Sequence, residues 1–329
     1  MKILYFAILL LPVVLGSCHT KSGGTEAKVT QETLKSAVVF NADSAYNFIK
    51  QQLDCGPRVP GTPGHKACAD LIVNTLGRYG ADTILLQPTT VENYLGGKMP
   101  IVNIMGRFNT DSARRVLLVA HWDTRPWADN DPKVENRGTP VPGANDGGSG
   151  TAVLLEMARL MHEKRPDIGI DLLFVDGEDS GRNEGWGSNE NTWCLGTQYW
   201  VNHMPYSGNN LPEYGILFDM VGGNDAKFHK EYVSEQEAAH INDKVWQIAA
   251  ASGYGKQFPT SVHGGVTDDH IFINRAGIPC IDIIECSNHS TGTFPPTWHT
   301  MQDNLSNIDK KTLKAVGQTV ANTIYREKN

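Results

Sequence analysis

The chain lacks the features that mark nucleic-acid-binding and membrane-spanning proteins. Its 329 residues contain 29 lysines and arginines against 36 aspartates and glutamates, a formal net charge of -7. Because no excess of positive charge is available to neutralise phosphates, we expect no nucleic-acid partner. After residue 18 no apolar run is long enough to cross a bilayer. These absences favour a globular protein that acts on small molecules or peptides.

Several common catalytic signatures are absent as well. The chain has no G-x-S-x-G sequence, which leaves a serine-hydrolase nucleophile elbow unsupported. His162 and Glu163 begin like the zinc-binding H-E-x-x-H helix, but Pro166 stands where the second histidine is needed. Residues 147–150 (GGSG) lack the lysine of a phosphate-binding loop. A different constellation must therefore carry any catalytic activity.

The N-terminal residues have the layout of a bacterial export signal. Lys2 precedes an apolar run, and residues 15–18 read Leu-Gly-Ser-Cys, which resembles a lipobox and implies acylation of Cys18. Residues 1–17 are therefore interpreted as a lipoprotein signal peptide and residues 18–40 as the lipidated cysteine with a flexible tether. The alternative is an ordinary secretory peptide with an incidental cysteine. We expect a lipid-anchored, periplasm-facing protein of a Gram-negative-type cell envelope.

Cysteine is scarce, and its number limits disulfide pairing. Lipidation of Cys18 leaves five further cysteines, so at least one stays unpaired even in an oxidising compartment. Cys55 and Cys68 flank a loop rich in glycine and proline and could bridge it, but the sequence does not decide this. No cysteine lies in a recognisable cysteine-histidine catalytic setting.

Short β-branched runs alternate with amphipathic stretches of helical period. We predict strands over residues 83–86, 101–108, 116–120, 170–175, 214–220 and 278–284. We predict helices over residues 44–53, 65–79, 151–163, 235–252 and 309–325. Several strands are almost wholly apolar, as buried parallel strands are. The pattern predicts one α/β domain over residues 41–329, with a mixed, mostly parallel twisted sheet flanked by helices.

Ionisable residues follow three of the predicted strands directly. The strand at 116–120 runs into His121, the strand at 170–175 into Glu178 and Asp179, and the strand at 214–220 contains Asp219 near its end. The carboxyl ends of parallel strands meet at one edge of a sheet, where ligands bind. We therefore expect these side chains to converge, although a single such carboxylate is more often a helix cap or part of a solvated loop.

Two further polar segments point to a metal at this edge. Asp146 lies in the glycine-rich segment 143–150, and His299 follows the last predicted strand. Aspartate, glutamate and histidine form a common catalytic zinc set with one open position. Carboxylates gathered in a cleft repel one another, and a bound cation resolves that repulsion. The alternative is a solvated acidic rim that binds no metal.

Five segments resemble the zinc aminopeptidases of the M28 type and, more closely, the animal-type glutaminyl cyclases of the same zinc-exopeptidase (phosphorylase/hydrolase-like) fold. In family order they are residues 56–62 (GPRVPGT), 121–123 (HWD), 176–179 (DGED), 268–270 (DDH) and 298–301 (WHTM). The resemblance extends over about residues 43–325. It implies that Asp146, Asp179 and His299 bind zinc and that Glu178 transfers protons. The family usually has two glutamates at positions 178 and 179, so the ligand Asp179 is one methylene shorter than usual.

The choice between cyclase and peptidase rests on finer features. His121 and Asp219 are also the residues that hold a second zinc in the two-metal peptidases of this fold. The cyclases use one zinc. Like this chain, they have an aspartate at the position of Asp268, where the peptidases have serine. They also resemble this chain in having a tryptophan, here Trp298, beside the ligand His299. The resemblance thus implies zinc-dependent cyclisation of the N-terminal glutamine of peptides and proteins to pyroglutamate, with ammonia released. The alternatives are a two-zinc M28-type aminopeptidase and a non-catalytic peptide-binding lipoprotein.

The remaining site residues are assigned from the needs of the reaction and from their positions in the sequence. Asp268, with Asp219 behind it, is expected to hold the departing amide nitrogen. Trp298 is expected to line the substrate pocket, since it adjoins a ligand in a strand-end loop; the alternative is a core tryptophan. Trp186 and Trp193, in the loop after Glu178, are weaker candidates for another wall of the pocket.

Overall fold

The computed structural model describes residues 34–183, 189–206 and 210–329. The expected signal peptide, Cys18 and Trp186 lie outside these ranges. Within them, no helix has both the length and the apolar character that crossing a membrane requires.

A six-stranded sheet forms the centre of the described chain. Its strands are β1 (Thr83–Glu92), β2 (Lys98–Phe108), β3 (Arg115–His121), β4 (Gly169–Val175), β5 (Tyr214–Asp219) and β8 (Cys280–Ile284). Two short strands, β6 (Lys230–Glu231) and β7 (Val262–His263), form a separate parallel pair. The order in the large sheet is β1-β2-β4-β3-β5-β8. Strands β4, β3, β5 and β8 are parallel, whereas β2 runs antiparallel to β4 and to β1. The mixed, mostly parallel sheet predicted from the sequence is confirmed.

Helices cover both faces of the sheet. They are α1 (Ala42–Asp54), α2 (Pro63–Arg78), α3 (Gly148–Glu163), α4 (Leu195–Val201), α5 (Tyr232–Ala251), α6 (Asp269–Arg275) and α7 (Lys310–Ile324). Successive strand residues point to opposite faces, so Leu118 joins the large core under α1, α3, α5 and α7, while Leu117 and Val119 join a smaller core near α4 and α6. Every residue of β3, β4, β5 and β8 is buried, which explains their apolar sequences.

The elements predicted from periodicity are present, with shifted ends. The first strand continues to Glu92 rather than ending at residue 86, because its outer half pairs with β2 and alternates between exposed and half-buried residues. The strand predicted over 214–220 ends at Asp219, because Met220 has a φ of 49°, in the left-handed region that turns the chain. The last strand begins at Cys280, two residues later than predicted. Helices α4 and α6 have seven residues each and show too few turns for a periodic pattern.

The disulfide left open by the sequence is not formed. All five cysteines of the described ranges are free thiols. Cys55 is half-buried at the end of α1 and contacts the buried Cys68 of α2, and the hydrogen bond between the two thiols lowers the pKa of Cys55 to about 7.

Candidate active site

The carboxyl ends of the parallel strands carry the ionisable residues to one edge of the sheet. His121 ends β3, Asp219 ends β5, and Glu178 and Asp179 follow β4. Asp146 precedes α3, and His299 lies in the segment between β8 and α7. All of these residues except His121 line a cavity of about 450 Å³. The full lining comprises Asp146, Glu178, Asp179, Asn183, Trp193, Asp219, Met220, Gly265, Val266, Thr267, Asp268, Phe294, Trp298 and His299.

Asp146, Asp179 and His299 form a buried cluster with the geometry of a cation site. One potential ligand atom from each lies within 4.8 Å of the others. His299 Nε2 is 3.0 Å from Asp179 Oδ1 and 3.7 Å from Asp146 Oδ2. Among the described residues, neither oxygen of Asp179 nor Oδ2 of Asp146 takes part in a hydrogen bond. Buried carboxylate oxygens without partners are costly, so the donor set fits a divalent cation such as zinc.

Two further aspartates hold the ligands in place through their backbones. The Asp123 carboxylate accepts hydrogen bonds from the backbone N–H groups of Glu178 (3.1 Å) and Asp179 (3.2 Å). Asp303 accepts from the backbone N–H of Asp146 at 3.1 Å and from that of Asn145 at 2.7 Å. Each carboxylate bonds two adjacent amides, so the turn that presents each ligand has little freedom to rotate.

His299 is oriented by its own backbone and by Asp129. Its φ of 56° lies in the left-handed region, which is uncommon for a histidine and turns the ring toward the cluster. Asp129 Oδ1 lies 3.4 Å from Nδ1 of the ring, on the side opposite Nε2. Such carboxylate partners fix the tautomer of a metal-binding histidine, here leaving Nε2 free to face the cation.

Arg58, in the loop between α1 and α2, connects two of the segments that form the same edge. Arg58 is fully buried and donates hydrogen bonds to the backbone carbonyls of Trp122 (3.1 Å), Pro142 (2.7 Å) and Gly143 (2.6 Å). One guanidinium therefore ties the segment after β3 to the segment that carries Asp146.

His121 belongs to a second cluster, which shares Asp146 with the first. Its Nε2 lies 3.1 Å from Asp146 Oδ1 and 3.2 Å from Asp219 Oδ1. Burial lowers the pKa of His121, but hydrogen bonds to Asp123, Asp146 and Asp219 outweigh it and hold that pKa well above its usual value. A protonated ring can donate to these carboxylates and so satisfy them without a metal.

Glu178 is buried on the floor of the cavity, next to the cation cluster. Its Oε1 lies 3.6 Å from the Cys194 thiol, and its Oε2 lies 3.9 Å from His121 Nδ1. Glu178, Cys194 and Asp268 each place one atom within 4.8 Å of the others. Burial is the main cause that raises the pKa of Glu178 well above its usual value; His121 opposes this, whereas Asp179 and Asp268 add to it.

Asp268 and Asp219 also line the cavity. Burial, with Asp219 as the next cause, raises the pKa of Asp268 to about 7. Burial also raises the pKa of Asp219 to about 6, although the hydrogen bond from His121 opposes the shift. Neighbouring acids of this kind share protons readily near neutral pH.

Aromatic side chains form the walls of the cavity. Trp298 stacks on the His299 ring at 3.8 Å, and Phe294 packs on Trp298 at 4.5 Å. Trp193 lies nearly parallel to His299, with ring centroids 6.1 Å apart. Trp193 also packs on Gly181, where a Cβ would lie only 2.0 Å from the indole ring, so only glycine fits there.

The structure thus places eight predicted site residues around one cavity. His121 contacts the ligand Asp146 just behind the lining, and Trp186 lies outside the described ranges. The roles assigned from the resemblance stay predictions. Sequence reasoning missed Asp303, Asp129 and Phe294. Asp303 lies four residues after His299 and would have been visible only as one more acid near a predicted ligand.

The chain is similar to a protein family and to several individual proteins. The sequence profile of peptidase family M28 matches residues 103–324. The crystal structure of Bacteroides thetaiotaomicron glutaminyl cyclase bound to N-acetylhistamine is 48% identical, with a TM-score of 0.85, and the match covers 88% of this chain and 99% of that one. A Bacteroides thetaiotaomicron structure described as a leucine aminopeptidase precursor is 47% identical, with a TM-score of 0.84, over 90% of this chain and 100% of that one. The glutaminyl-peptide cyclotransferase of Bos taurus is 26% identical over 283 residues, which are 78% of this chain and 74% of that protein.

The matched region contains the ends of β3, β4 and β5 and all three residues of the cation cluster. The resemblance drawn from the sequence motifs is therefore confirmed. The chain belongs to peptidase family M28, and within that family it groups with the glutaminyl cyclases.

Proposed function

We propose that this chain is a zinc-dependent glutaminyl-peptide cyclotransferase that closes the N-terminal glutamine of peptides and proteins into pyroglutamate and releases ammonia. The observation that carries the proposal is a cation cluster with unpartnered carboxylate oxygens, which lies beside the buried acids Glu178 and Asp268 in an aromatic-walled cavity.

Asp146, Asp179 and His299 would hold one zinc ion. Zinc bound there supplies a Lewis acid that polarises the carbonyl of the glutamine side-chain amide. A single ion is favoured because Asp219 Oδ1 already forms a hydrogen bond with His121 Nε2. Neither oxygen of Asp179 forms one within the described residues, although His299 Nε2 lies 3.0 Å from Oδ1. Asp179 is shorter than the glutamate usual in the family, but it still lies within 4.8 Å of the other two ligands.

Glu178 is the group placed to move the proton. The α-amine nitrogen of glutamine must lose a proton as it bonds to the amide carbon, and the amide nitrogen must gain one as its bond to that carbon breaks. One buried carboxylate that faces both nitrogens can accept the first proton and donate it to the second, which leaves as ammonia. Glu178 directly precedes the ligand Asp179 in the chain and lines the same cavity, so its carboxylate would lie close to the bound substrate.

Asp268 and Asp219 would hold the departing nitrogen. Asp268 Oδ2 is buried and has no hydrogen-bond partner among the described residues, so it can accept a hydrogen bond from the amide N–H₂ group. Asp219 lies close enough to raise the pKa of Asp268. A proton shared between these acids would keep Asp268 oriented toward the substrate.

The aromatic walls would select ring closure over hydrolysis. Closure of a five-membered ring is intramolecular, so its rate depends on holding the glutamine side chain folded back toward its own amine. Trp298, Phe294 and Trp193 line the cavity and would hold the glutamine side chain in this conformation.

A second candidate function is a two-zinc aminopeptidase. It is favoured by the His121, Asp146 and Asp219 cluster, whose ligand atoms also lie within 4.8 Å of one another. It is weakened by the contacts of His121 with both acids and by the glutaminyl cyclases among the similar proteins.

We also propose that the chain is exported and anchored in a bacterial envelope through an acylated Cys18. Support comes from the sequence Leu-Gly-Ser-Cys at residues 15–18 and the polar segment that follows it. Exported peptides or proteins with N-terminal glutamine would then be the substrates.

Ammonia release from a glutamine-initiated peptide, measured with and without a chelator beside a leucine-anilide control, tests the proposed function. We expect chelator-sensitive ammonia release, with no cleavage of the anilide. Cleavage of the anilide without ammonia release would establish the peptidase instead, and inactivity in both assays after zinc loading would reject both enzymes.

A further inference from the structure

The hairpin formed by β1 and β2 extends past the catalytic edge of the sheet. The ladder between β2 and β4 covers Ile104 to Phe108, whereas the ladder between β1 and β2 continues outward to the pair Glu92 and Lys98. Six residues of β2 therefore extend beyond that pairing, about 20 Å at the rise of a strand. Because β2 is antiparallel to β4, this overhang lies at the edge where β4 leads into Glu178 and Asp179.

A second cavity lies between the hairpin tip and the segment after β3. It has a volume of about 490 Å³ and is lined by Tyr94, Leu95, Arg125, Trp127, Asp129, Arg182 and Asn183. Asn183 also lines the catalytic cavity, so the two cavities are neighbours across one side chain. We call the second cavity the hairpin groove.

A stack of side chains links the two cavities. The Arg125 guanidinium lies 4.9 Å from the ring of Trp193, which lines the catalytic cavity, and 5.1 Å from the ring of Trp127, which lines the hairpin groove. Tyr94 then meets Trp127 edge-on at 6.1 Å. The groove is therefore positioned by the same residues that position the catalytic wall.

The groove has a mixed lining, in which apolar side chains at the hairpin tip face the polar side chains of Arg182 and Asn183. Leu95 is 67% exposed and Tyr94 is 37% exposed, although both are large hydrophobic residues at a hairpin tip. Arg125 and Asp129 pair with each other through two hydrogen bonds of 2.9 and 2.6 Å, so their charges are largely neutralised. Contact with an apolar side chain of a ligand would remove Leu95 and Tyr94 from water.

We propose that the hairpin groove binds an apolar or aromatic side chain of the substrate, located a few residues after the N-terminal glutamine. This inference rests on the proposed function. The occupant follows from continuity: glutamine fills the catalytic cavity, its peptide chain must leave past the rim, and Asn183 forms the rim on the side of the groove. The enzyme would then prefer peptides with a large apolar residue downstream over peptides with a polar residue there.

The test compares peptide amides that begin with Gln-Ala and carry phenylalanine or serine at position three, four or five. The dipeptide amide Gln-Ala serves as the reference, because it cannot reach the groove. We expect kcat/KM to be about tenfold higher for phenylalanine than for serine at one of these positions, as burial of one large apolar side chain provides. The difference should be in KM more than in kcat, since the groove does not touch the reacting atoms.

Two variants of the groove and one matched control complete the test. Leu95→Ser and Tyr94→Ala should each reduce the phenylalanine-to-serine ratio toward one. Leu86→Ser removes a leucine that is 52% exposed on the same hairpin but away from its tip, and it should keep the wild-type ratio. Thermal unfolding of each variant verifies that the hairpin still folds.

The proposal is wrong if wild-type protein shows no preference at any position, or if Leu86→Ser changes the ratio as much as Leu95→Ser does. Failure of the proposed function is separate, because it would appear as no ammonia release from the Gln-Ala reference itself.

Discussion

At the scale of single residues, the site depends on buried acids whose partners differ. The oxygens of Asp179 have no hydrogen-bond partner among the described residues, those of Asp123 and Asp303 accept backbone N–H groups, and Glu178 faces a thiol and an imidazole. Residues with the same chemical group can therefore hold a cation, fix a turn or move a proton, according to what faces each oxygen.

The role of Glu178 predicts a loss of turnover without a loss of metal. Glu178→Gln keeps the size of the side chain but cannot accept the proton of the α-amine. We expect kcat for ammonia release to fall by roughly 10²–10⁴-fold, while the zinc content by atomic absorption stays as in wild type. Glu237→Gln, at an exposed position on α5, is the control and should retain full activity. Near-normal ammonia release from Glu178→Gln would show that another group is the base.

His299 and Asp268 should separate metal binding from catalysis. His299→Ala removes a ligand and should reduce zinc affinity by at least about 10-fold, with activity lost in parallel.

Asp268→Ala should lower turnover more than zinc occupancy, because Asp268 lies outside the cation cluster. Zinc loss in Asp268→Ala comparable to that in His299→Ala would contradict the assigned role.

Glu285, which follows β8, predicts a pH dependence of stability away from the cation cluster. Burial raises its pKa to about 7, although a hydrogen bond from Asn288 opposes the shift. The folded chain then binds a proton that the unfolded chain releases near pH 4.5, so the free energy of unfolding falls as pH rises from about 4.5 to about 7. Glu285→Gln should remove this decline and be more stable than wild type at pH 8, by about 3 kcal/mol at most. Equal pH dependence of denaturant unfolding in both proteins would contradict the shift.

The candidate metal ligands could be predicted from the sequence, whereas the residues that hold those ligands in place could not. Asp179 and His299 fall in motifs that carry the family resemblance, and Asp146 lies in the glycine-rich segment 143–150. Asp303 and Asp129 act on a backbone amide and on the far side of an imidazole ring, and no spacing in the sequence indicates which group a given carboxylate will face. The left-handed φ of His299 is likewise set by tertiary contacts rather than by residue type.

At the scale of elements, the loops carry more of the site than the strands do. The parallel strands bring the residues to one edge, but the segment between α1 and α2 fixes their spacing through Arg58. Strongly periodic elements such as α3 and β4 were predicted well because burial imposes their pattern. The overhang of the β1–β2 hairpin was not predicted, because the outer half of β1 is partly exposed and follows no apolar pattern.

Arg58 predicts coupling between this loop and the metal. Arg58→Ala leaves three buried carbonyl groups without their donor, so we expect the free energy of unfolding to fall by about 3 kcal/mol or more. Zinc affinity should fall too, because one of these carbonyls belongs to the segment that presents Asp146. Arg78→Ala, at an exposed position in the last turn of α2, should change neither quantity. A stable Arg58→Ala protein with wild-type zinc affinity would show that the loop does not support the site.

At the scale of the whole molecule, fold and metal should stabilise each other. The folded chain gathers several buried acids at one edge, and their mutual repulsion is relieved when a cation binds there. Zinc at 100 times its dissociation constant should add about 2.7 kcal/mol to the free energy of unfolding. Calorimetry should therefore show a higher Tm with zinc than with chelator, and a zinc-independent Tm would argue against a cation at this edge.

The number of zinc ions per folded chain distinguishes a one-zinc cyclase from a two-zinc aminopeptidase. Purified protein is equilibrated with excess zinc, freed of unbound metal and analysed for zinc and protein content, with ammonia release measured on the same sample. We expect one zinc per chain in protein that cyclises N-terminal glutamine. Two ions per chain, or active protein without any, would contradict this expectation.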